Sequence, residues 1–430
     1  SDIDSERKDR IMKFTSTEAT PAPHVPPGVL RLTGAAKEDI PMYRIQTMNK
    51  ISPVGLNRFP SELYEVGDAV QDPQGILVRS AKLLDLEFNP SLLAIARAGV
   101  GVNNIPLDRC AAAGIPVFST PGANANAVKE LVICAMLMGS RDIPGAIRWV
   151  REQAASGVDV STVVEKGKSA FIGPELYKKT LGIIGLGAIG SIVANTAISL
   201  GMDVYGYDPF LSVDTALRLD RHVHVVKDIN DLYKRSDYIT MHIHYTEKTA
   251  HMIDADAIAA MKRGVRVINL ARGEIVDDEA MLTALDTGMV AAYITDFPNN
   301  RLLTAPHVIA MPHLGASTPE SEQNCAAMAV DTLRDYLESG NIRSSVNLPE
   351  MTMDRSGVQR LCVLHKNVPG MLANITSLFG RDGVNVENLS NKSRGDYAYT
   401  MVDLGSKVGD NVIEDVRRTA NVIRVRSLEW

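Results

Sequence analysis

One stretch of this 430-residue chain restricts its possible folds more than any other. Residues 181–208 read LGIIGLGAIGSIVANTAISLGMDVYGYD. The apolar run at 181–184 suits a buried strand. It leads into Gly185-Leu186-Gly187-Ala188-Ile189-Gly190, then into a helical pattern with apolar positions at Ile189, Ile192, Val193, Ala197 and Leu200. A second apolar run, 204–207, ends in Asp208, 18 residues beyond Gly190. Each part has a mechanical role in holding a dinucleotide: the first glycine for a tight turn, the second for backbone approach to the pyrophosphate, the third for helix–strand packing. The free N–H groups at the helix start then face the phosphates. Asp208 can accept bonds from the ribose hydroxyls and would repel a 2′-phosphate, so the cofactor expected is NAD.

Length alone suggests about three domains. A hydrophobic content of 45% is enough for several cores, and the net charge of −6 argues against a nucleic-acid surface. No apolar run reaches the roughly 18 residues a membrane span needs. The first ten residues, SDIDSERKDR, are unlike a signal peptide. Cys110, Cys134, Cys325 and Cys362 are widely spaced and form no CxxC pair, as in a reducing compartment. A cytoplasmic location without membrane or nucleic-acid partners is therefore expected. The pairs His222/His224 and His242/His244 have strand spacing, but no Cys or carboxylate cluster joins them, and no metal site is expected.

Residues 1–40 are rich in charge, Ser/Thr and Pro and read as a partly disordered extension. Strands at 76–78, 92–98 and 116–118 suit a small parallel α/β domain, residues 41–123. A helix is expected over 126–138, while 141–170 is polar and without clear pattern. In the dinucleotide-binding domain, 124–315, strands continue at 222–226, 238–242, 265–269, 291–296 and 308–311. A long helix from about 319 to 339, with Ser317 and Glu320 as a capping box, has to return to the first domain. Residues 316–350 would thus make that domain discontinuous. Residues 340–357 look like a linker. The order βαββαβ follows in 358–430. The expected fold class is α/β: two Rossmann-like, doubly wound parallel-sheet domains plus a ferredoxin-like C-terminal domain.

Two pieces downstream of the fingerprint carry chemistry. Val267-Ile268-Asn269-Leu270-Ala271-Arg272-Gly273 delivers an arginine to the C-terminal end of a strand, where open α/β sheets bind ligands. Met311-Pro312-His313-Leu314-Gly315-Ala316-Ser317-Thr318 places a histidine at the end of another. Oxidising a secondary alcohol needs a base for the hydroxyl proton and a cation for the carboxylate and forming carbonyl. His313 suits the first role and Arg272 the second.

With these motifs, with AGVGVNNI at 98–105 and with TPGAN at 120–124, the chain resembles the D-2-hydroxyacid dehydrogenase family over about residues 43–350. The resemblance implies NAD-dependent oxidation of 3-phospho-D-glycerate to 3-phosphohydroxypyruvate, the first step of phosphorylated L-serine synthesis. It implies that Val100, Gly101 and Arg272 hold the substrate carboxylate, and that Arg79, Ser80 and Asn124 lie on the substrate side. Arg79 is the first candidate for the phosphate, and Lys168 aligns with a lysine that helps this site, from a neighbouring subunit in some relatives. Gly185, Gly187, Ala188, Ile189, Gly190, Asp208, Leu270, Ala271, Arg272, Thr295, Asp296, His313, Gly315 and Ala316 would contact the cofactor. The chain departs from the pattern where relatives carry a glutamate paired with the catalytic histidine, because Asn300 stands there. The position that binds the nicotinamide amide aligns with Thr295, leaving Asp296 as its substitute.

Residues 358–430 resemble the ACT domain, a small-molecule sensor. The match rests on His365-Lys366-Asn367-Val368-Pro369-Gly370 and Gly383-Val384-Asn385. It implies that L-serine is an effector bound by His365, Asn367 and Asn385 at an interface between paired domains, in a homotetramer. A plain dimerisation domain is the alternative reading of that segment. For the whole chain the alternatives are a glyoxylate/hydroxypyruvate-type reductase and a non-catalytic NAD(H)-sensing protein.

Overall fold

The computed structural model describes residues 42–430, so the expected extension at 1–40 lies outside the described residues. Three sheets organise the chain. The first contains β1 (Tyr43–Met48), β2 (Tyr64–Gly67), β3 (Gly75–Val78), β4 (Ala94–Arg97) and β5 (Val117–Phe118). Its order is β2-β1-β3-β4-β5 and every pairing is parallel.

The second sheet has seven parallel strands: β6 (Thr180–Ile184), β7 (Asp203–Tyr207), β8 (His224–Val226), β9 (Tyr238–Met241), β10 (Val265–Asn269), β11 (Val290–Thr295) and β12 (Val308–Ala310). The order β12-β11-β10-β9-β6-β7-β8 reverses direction at β6, the doubly wound arrangement with one strand added. β9 is buried throughout and β6 in all but its first residue, as strands covered on both faces must be. Two apolar clusters clothe the sheet. One packs the helix Ala125–Arg141, through Val128, Val132, Ala135 and Met136, against Ile183, Ile268 and Ile294.

The third sheet is antiparallel: β13 (Gln359–Lys366), β14 (Val386–Arg394), β15 (Tyr397–Leu404) and β16 (Val422–Glu429), in the order β14-β15-β13-β16. With the helices Met371–Arg381 and Asp410–Arg418 on one face, this is a ferredoxin-like βαββαβ unit. The fold class therefore agrees with the sequence.

Three local readings change. The cap of the long helix Pro319–Ser339 is Thr318, whose side chain accepts from Ser321 N, while Ser317 turns back to the His313 carbonyl. The pattern-free stretch after Arg141 is a hairpin of two amphipathic helices, Ile143–Ala155 and Val160–Gly167, with no fully buried residue, so the periodicity was diluted by charge. Finally, 340–357 is no free linker. Ile342, Leu348, Met351 and Met353 are buried in the same cluster as Ile45 and Leu77, four apolar anchors hidden among polar neighbours.

That cluster also takes in Ala326, Ala329, Val330 and Leu333 of the long helix, and Cys362, Leu364, Tyr399, Met401 and Leu428 of the third sheet. The C-terminal unit is thus welded to the first sheet's core through the face its own helices leave open. Guanidinium and hydroxyl groups cap the last turn of the long helix across this weld. Arg426 donates to the Tyr336 and Leu337 carbonyls at 3.0 and 2.8 Å, Arg360 to Ser339 O at 2.8 Å, and Tyr399 to Gly340 O at 2.6 Å. Such end carbonyls otherwise lack partners. Arg360 also pairs with Asp403 at 2.6 Å, both side chains fully buried.

Candidate active site

The glycine loop shows why those residue types are needed. Gly185 has φ +90°, and a side chain there would meet the His242 carbonyl oxygen at 2.6 Å. A Cβ on Gly190 would run into the Gly185 carbonyl, so the third glycine lets the helix sit on its strand. At Gly187 nothing lies within 4 Å of an added Cβ, which leaves its backbone open to a ligand. Gly187 also caps the helix Ala188–Ser199 without a side-chain bond, so the first N–H groups of Ala188, Ile189 and Gly190 face outward. Asp208 follows β7. Its carboxylate fixes this loop by accepting from Leu186 N at 2.9 Å and Phe210 N at 2.8 Å.

After β10, the backbone of Leu270, Ala271 and Arg272 is set by Asn269, which accepts from Ala271 N at 3.1 Å and donates to Arg272 O at 2.8 Å. The Arg272 guanidinium reaches the first sheet's side of the cleft. Its Nη2 lies 3.1 Å from where a Cβ on Gly101 would stand. Across the same space, His313 packs on Phe297 with ring centroids 4.8 Å apart, and the Arg272 guanidinium lies 5.9 Å from that Phe297 ring. Phe297 therefore spaces the two proposed catalytic groups. It was missed because an aromatic after a strand reads as core.

Asp296 is inaccessible to solvent. Its Oδ2 accepts from Gly315 N at 3.0 Å, its backbone carbonyl accepts from His313 N at 2.9 Å, and its Oδ1 has no partner among the described residues. Burial above all holds its carboxyl above the usual carboxylate range, against the pull of the Gly315 N–H and the nearby His313. Thr295, equally buried, accepts from Phe297 N–H through its hydroxyl oxygen at 3.0 Å. A cleft of 890 Å³ opens here, lined by Asp296, Phe297, His313, Gly273, Glu274 and Asp277 among others; Thr295 does not line it. Nor does Asn300, which is exposed, although Asn299 and Arg301 do. Ala316 is half-buried behind Gly315.

Two more buried acceptors without partners, Thr120 Oγ1 and Asn124 Oδ1, belong to the 120–124 loop. That loop touches the fingerprint helix, since a Cβ on Gly122 would lie 3.2 Å from Ala188 Cβ. Orphaned acceptors in the interior carry a cost that a bound polar ligand removes. Open backbone at Gly187 and a free Asp296 Oδ1 fit a dinucleotide with an amide-bearing ring.

On the first sheet, Arg79 follows β3 and Arg97 ends β4, with Val78 and Arg97 register partners. Arg97 Nε donates to Arg79 O at 3.0 Å. Burial, and after it the guanidiniums of Arg272 and Arg79, hold Arg97 below the ordinary arginine range. Three arginines thus converge, and among the described residues the carboxylate ion-paired to them is Glu322, on Arg79 at 2.6 Å. Arg97 escaped the sequence reading, although a cation between an apolar strand and a glycine turn was the available signal. Ser80 is exposed, its N–H held by Asn49 Oδ1 at 3.0 Å, and Val100 is half-buried.

Other expected residues are not gathered here within one chain. Lys168 sits in the helical hairpin, paired with Glu165 and lining an apolar groove with Trp149 and Phe171. In the third sheet, His365 is 2% exposed, bonded to Lys366 O and to Thr400 Oγ1, both at 2.8 Å. Asn367 donates to Gly395 O, and Asn385 to Glu387. His365 pairs with Ala398, whereas Asn385 precedes Val386, the partner of Leu404. These rows lie about 20 Å apart along a strand, so one chain does not bring the three together.

The geometry meets its counterpart in known proteins. Residues 133–315 match the NAD-binding domain of the D-isomer specific 2-hydroxyacid dehydrogenases. The chain is 31% identical over 379 residues to the D-3-phosphoglycerate dehydrogenase of Haemophilus influenzae, covering 85% of this chain and 88% of that one. The chain belongs to the D-isomer specific 2-hydroxyacid dehydrogenase family. The Synechocystis D-3-phosphoglycerate dehydrogenase is 36% identical over 326 residues, 74% of this chain, but the chain spans only 56% of that relative's length. Among solved structures, the NAD⁺-bound 3-phosphoglycerate dehydrogenase of Entamoeba histolytica matches with TM-score 0.56 and 26% identity, covering 71% of this chain and 99% of that one. Residues 133–315 are thus this family's NAD-binding domain. Among the described residues no helix is long and apolar enough to cross a membrane.

Proposed function

We propose that this chain is an NAD-dependent dehydrogenase that oxidises 3-phospho-D-glycerate to 3-phosphohydroxypyruvate. The observation that carries this is the grouping of Arg79, Arg97 and Arg272, the last of which shares the Phe297 ring with His313. A plain 2-hydroxyacid needs one guanidinium for its carboxylate. Three cations against one glutamate suit a substrate that carries a carboxylate and a phosphate at opposite ends.

Arg272 and the 100–101 backbone hold the carboxylate, and Arg79 with Arg97 the phosphate. His313 accepts the C2 hydroxyl proton on an imidazole nitrogen as the C2–H bond breaks, and Arg272 steadies the oxygen as it becomes a carbonyl. NAD⁺, when bound, accepts the hydride from that carbon. Asp296 Oδ1 is the acceptor for the cofactor's amide, and Phe297 keeps the imidazole and guanidinium from collapsing together.

The reaction belongs, on this proposal, to L-serine synthesis in the cytoplasm, with residues 358–430 acting as an ACT sensor inhibited by L-serine. Since His365 and Asn385 stand at opposite ends of the sheet, the serine site takes Asn385 from a second copy. The apolar face of the helical hairpin, with Ile147 50% and Val150 39% exposed, supports self-association into a homotetramer. NADH formation from 3-phosphoglycerate tests the whole reading. Turnover confined to unphosphorylated hydroxypyruvate or glyoxylate would replace it with the reductase.

A further inference from the structure

Glu322 has no part in the proposed hydride and proton transfers, yet it holds one of the three cations. It lies in the first turn of the long helix Pro319–Ser339, and its Oε1 meets Arg79 Nη2 at 2.6 Å. Both side chains are nearly half exposed, 43% for Arg79 and 46% for Glu322, so the pair can open at little cost. Arg97, by contrast, is half-buried and tied by its Nε to the Arg79 carbonyl. Arg272 bonds its own neighbour's carbonyl, Ala271 O, at 2.6 Å.

We propose that Glu322 competes with the substrate's phosphate for Arg79 and so sets how strongly the site prefers phosphorylated over unphosphorylated hydroxyacids. This rests on the phosphate reading of the arginine cluster. A phosphate monoester carries about 1.5 to 2 negative charges and wants the guanidinium fork that the carboxylate occupies. To bind, it must displace Glu322 or sit beside it, and either course opposes binding. A carboxylate held at Arg272, by contrast, leaves Glu322 undisturbed. The glutamate therefore weakens phosphorylated ligands selectively, which keeps a site with three cations from holding them too long.

Titration calorimetry of the full chain saturated with NADH tests this without turnover, using 3-phosphoglycerate and D-glycerate as probes. Glu322→Gln is expected to tighten 3-phosphoglycerate about two- to five-fold, the range of one exposed ion pair, and to leave D-glycerate unchanged. The gain should shrink in 0.5 M NaCl. Glu320→Gln removes a charge from the same helix turn without touching Arg79, and should leave both ligands unchanged. Unchanged or weaker 3-phosphoglycerate binding in Glu322→Gln, where wild type prefers it over D-glycerate, overturns the competition alone. A wild-type chain that binds both ligands alike overturns the phosphate reading and the competition with it.

Discussion

Asp296 holds His313 by the backbone: the histidine N–H donates to the aspartate carbonyl at 2.9 Å, and two residues later Gly315 N–H donates to the carboxylate at 3.0 Å. The proposed base and the cofactor's proposed acceptor are thus parts of one rigid turn. A shift of either displaces the other.

Asp296→Asn should separate binding from stability. An asparagine oxygen can serve Gly315 or the cofactor amide but not both, so the Kd for NADH should rise about ten-fold. Burial raises the Asp296 pKa in the folded state, so the ionised form is penalised there and wild-type stability falls as pH rises through that raised value. The Tm advantage of the variant should therefore be absent near pH 3 and grow toward pH 7, as scanning calorimetry would show. A constant difference across that window would count against a buried charge.

His313→Ala should lower kcat by about 10² to 10⁴-fold while NADH still binds, checked by fluorescence titration. Phe297→Ala should lower kcat less and leave NADH affinity near wild type.

The glycines predict opposite failures. Gly187→Ala adds a methyl to open space, so the chain should keep its Tm yet bind NADH at least ten-fold more weakly. Gly190→Ala collides with the Gly185 carbonyl and should cost about 1–3 kcal/mol in denaturant melts.

Much of this was legible beforehand. Periodicity and apolar runs located the seven-stranded sheet because its inner strands are buried on both faces and read continuously. The fingerprint and the strand ends that carry Arg272 and His313 were legible because a strand and the turn after it are set by local spacing. What escaped depends on contacts distant in sequence. Arg97 gains meaning only beside Arg79 and Arg272, Phe297 only beside His313, and Met351 only once the third sheet covers it. Charged surfaces on the 143–155 helix hid its period, and nothing in the spacing of His365, Asn367 and Asn385 shows that the sheet separates them.

Asp403→Ala should strand the fully buried Arg360 and cost about 3–5 kcal/mol. Trp430, whose ring lies 5.3 Å from the Arg360 guanidinium, supplies a fluorescence signal for the unfolding curve.

If L-serine is the effector, Asn385→Ala should abolish its inhibition with uninhibited turnover retained. Mixing Asn385→Ala chains with His365→Ala chains should restore part of the response, because each mixed pair of copies then holds one intact composite site. Identical serine sensitivity in wild type and Asn385→Ala would rule that site out.

The shared apolar cluster beneath the third sheet has a mechanical corollary. Whatever grips the C-terminal unit grips the wall of the cleft that carries Arg79 and Arg97, because Tyr399, Arg426 and the end of the long helix are fastened to that wall. A signal arriving there would be felt first as a change in anion grip and only afterwards at the dinucleotide.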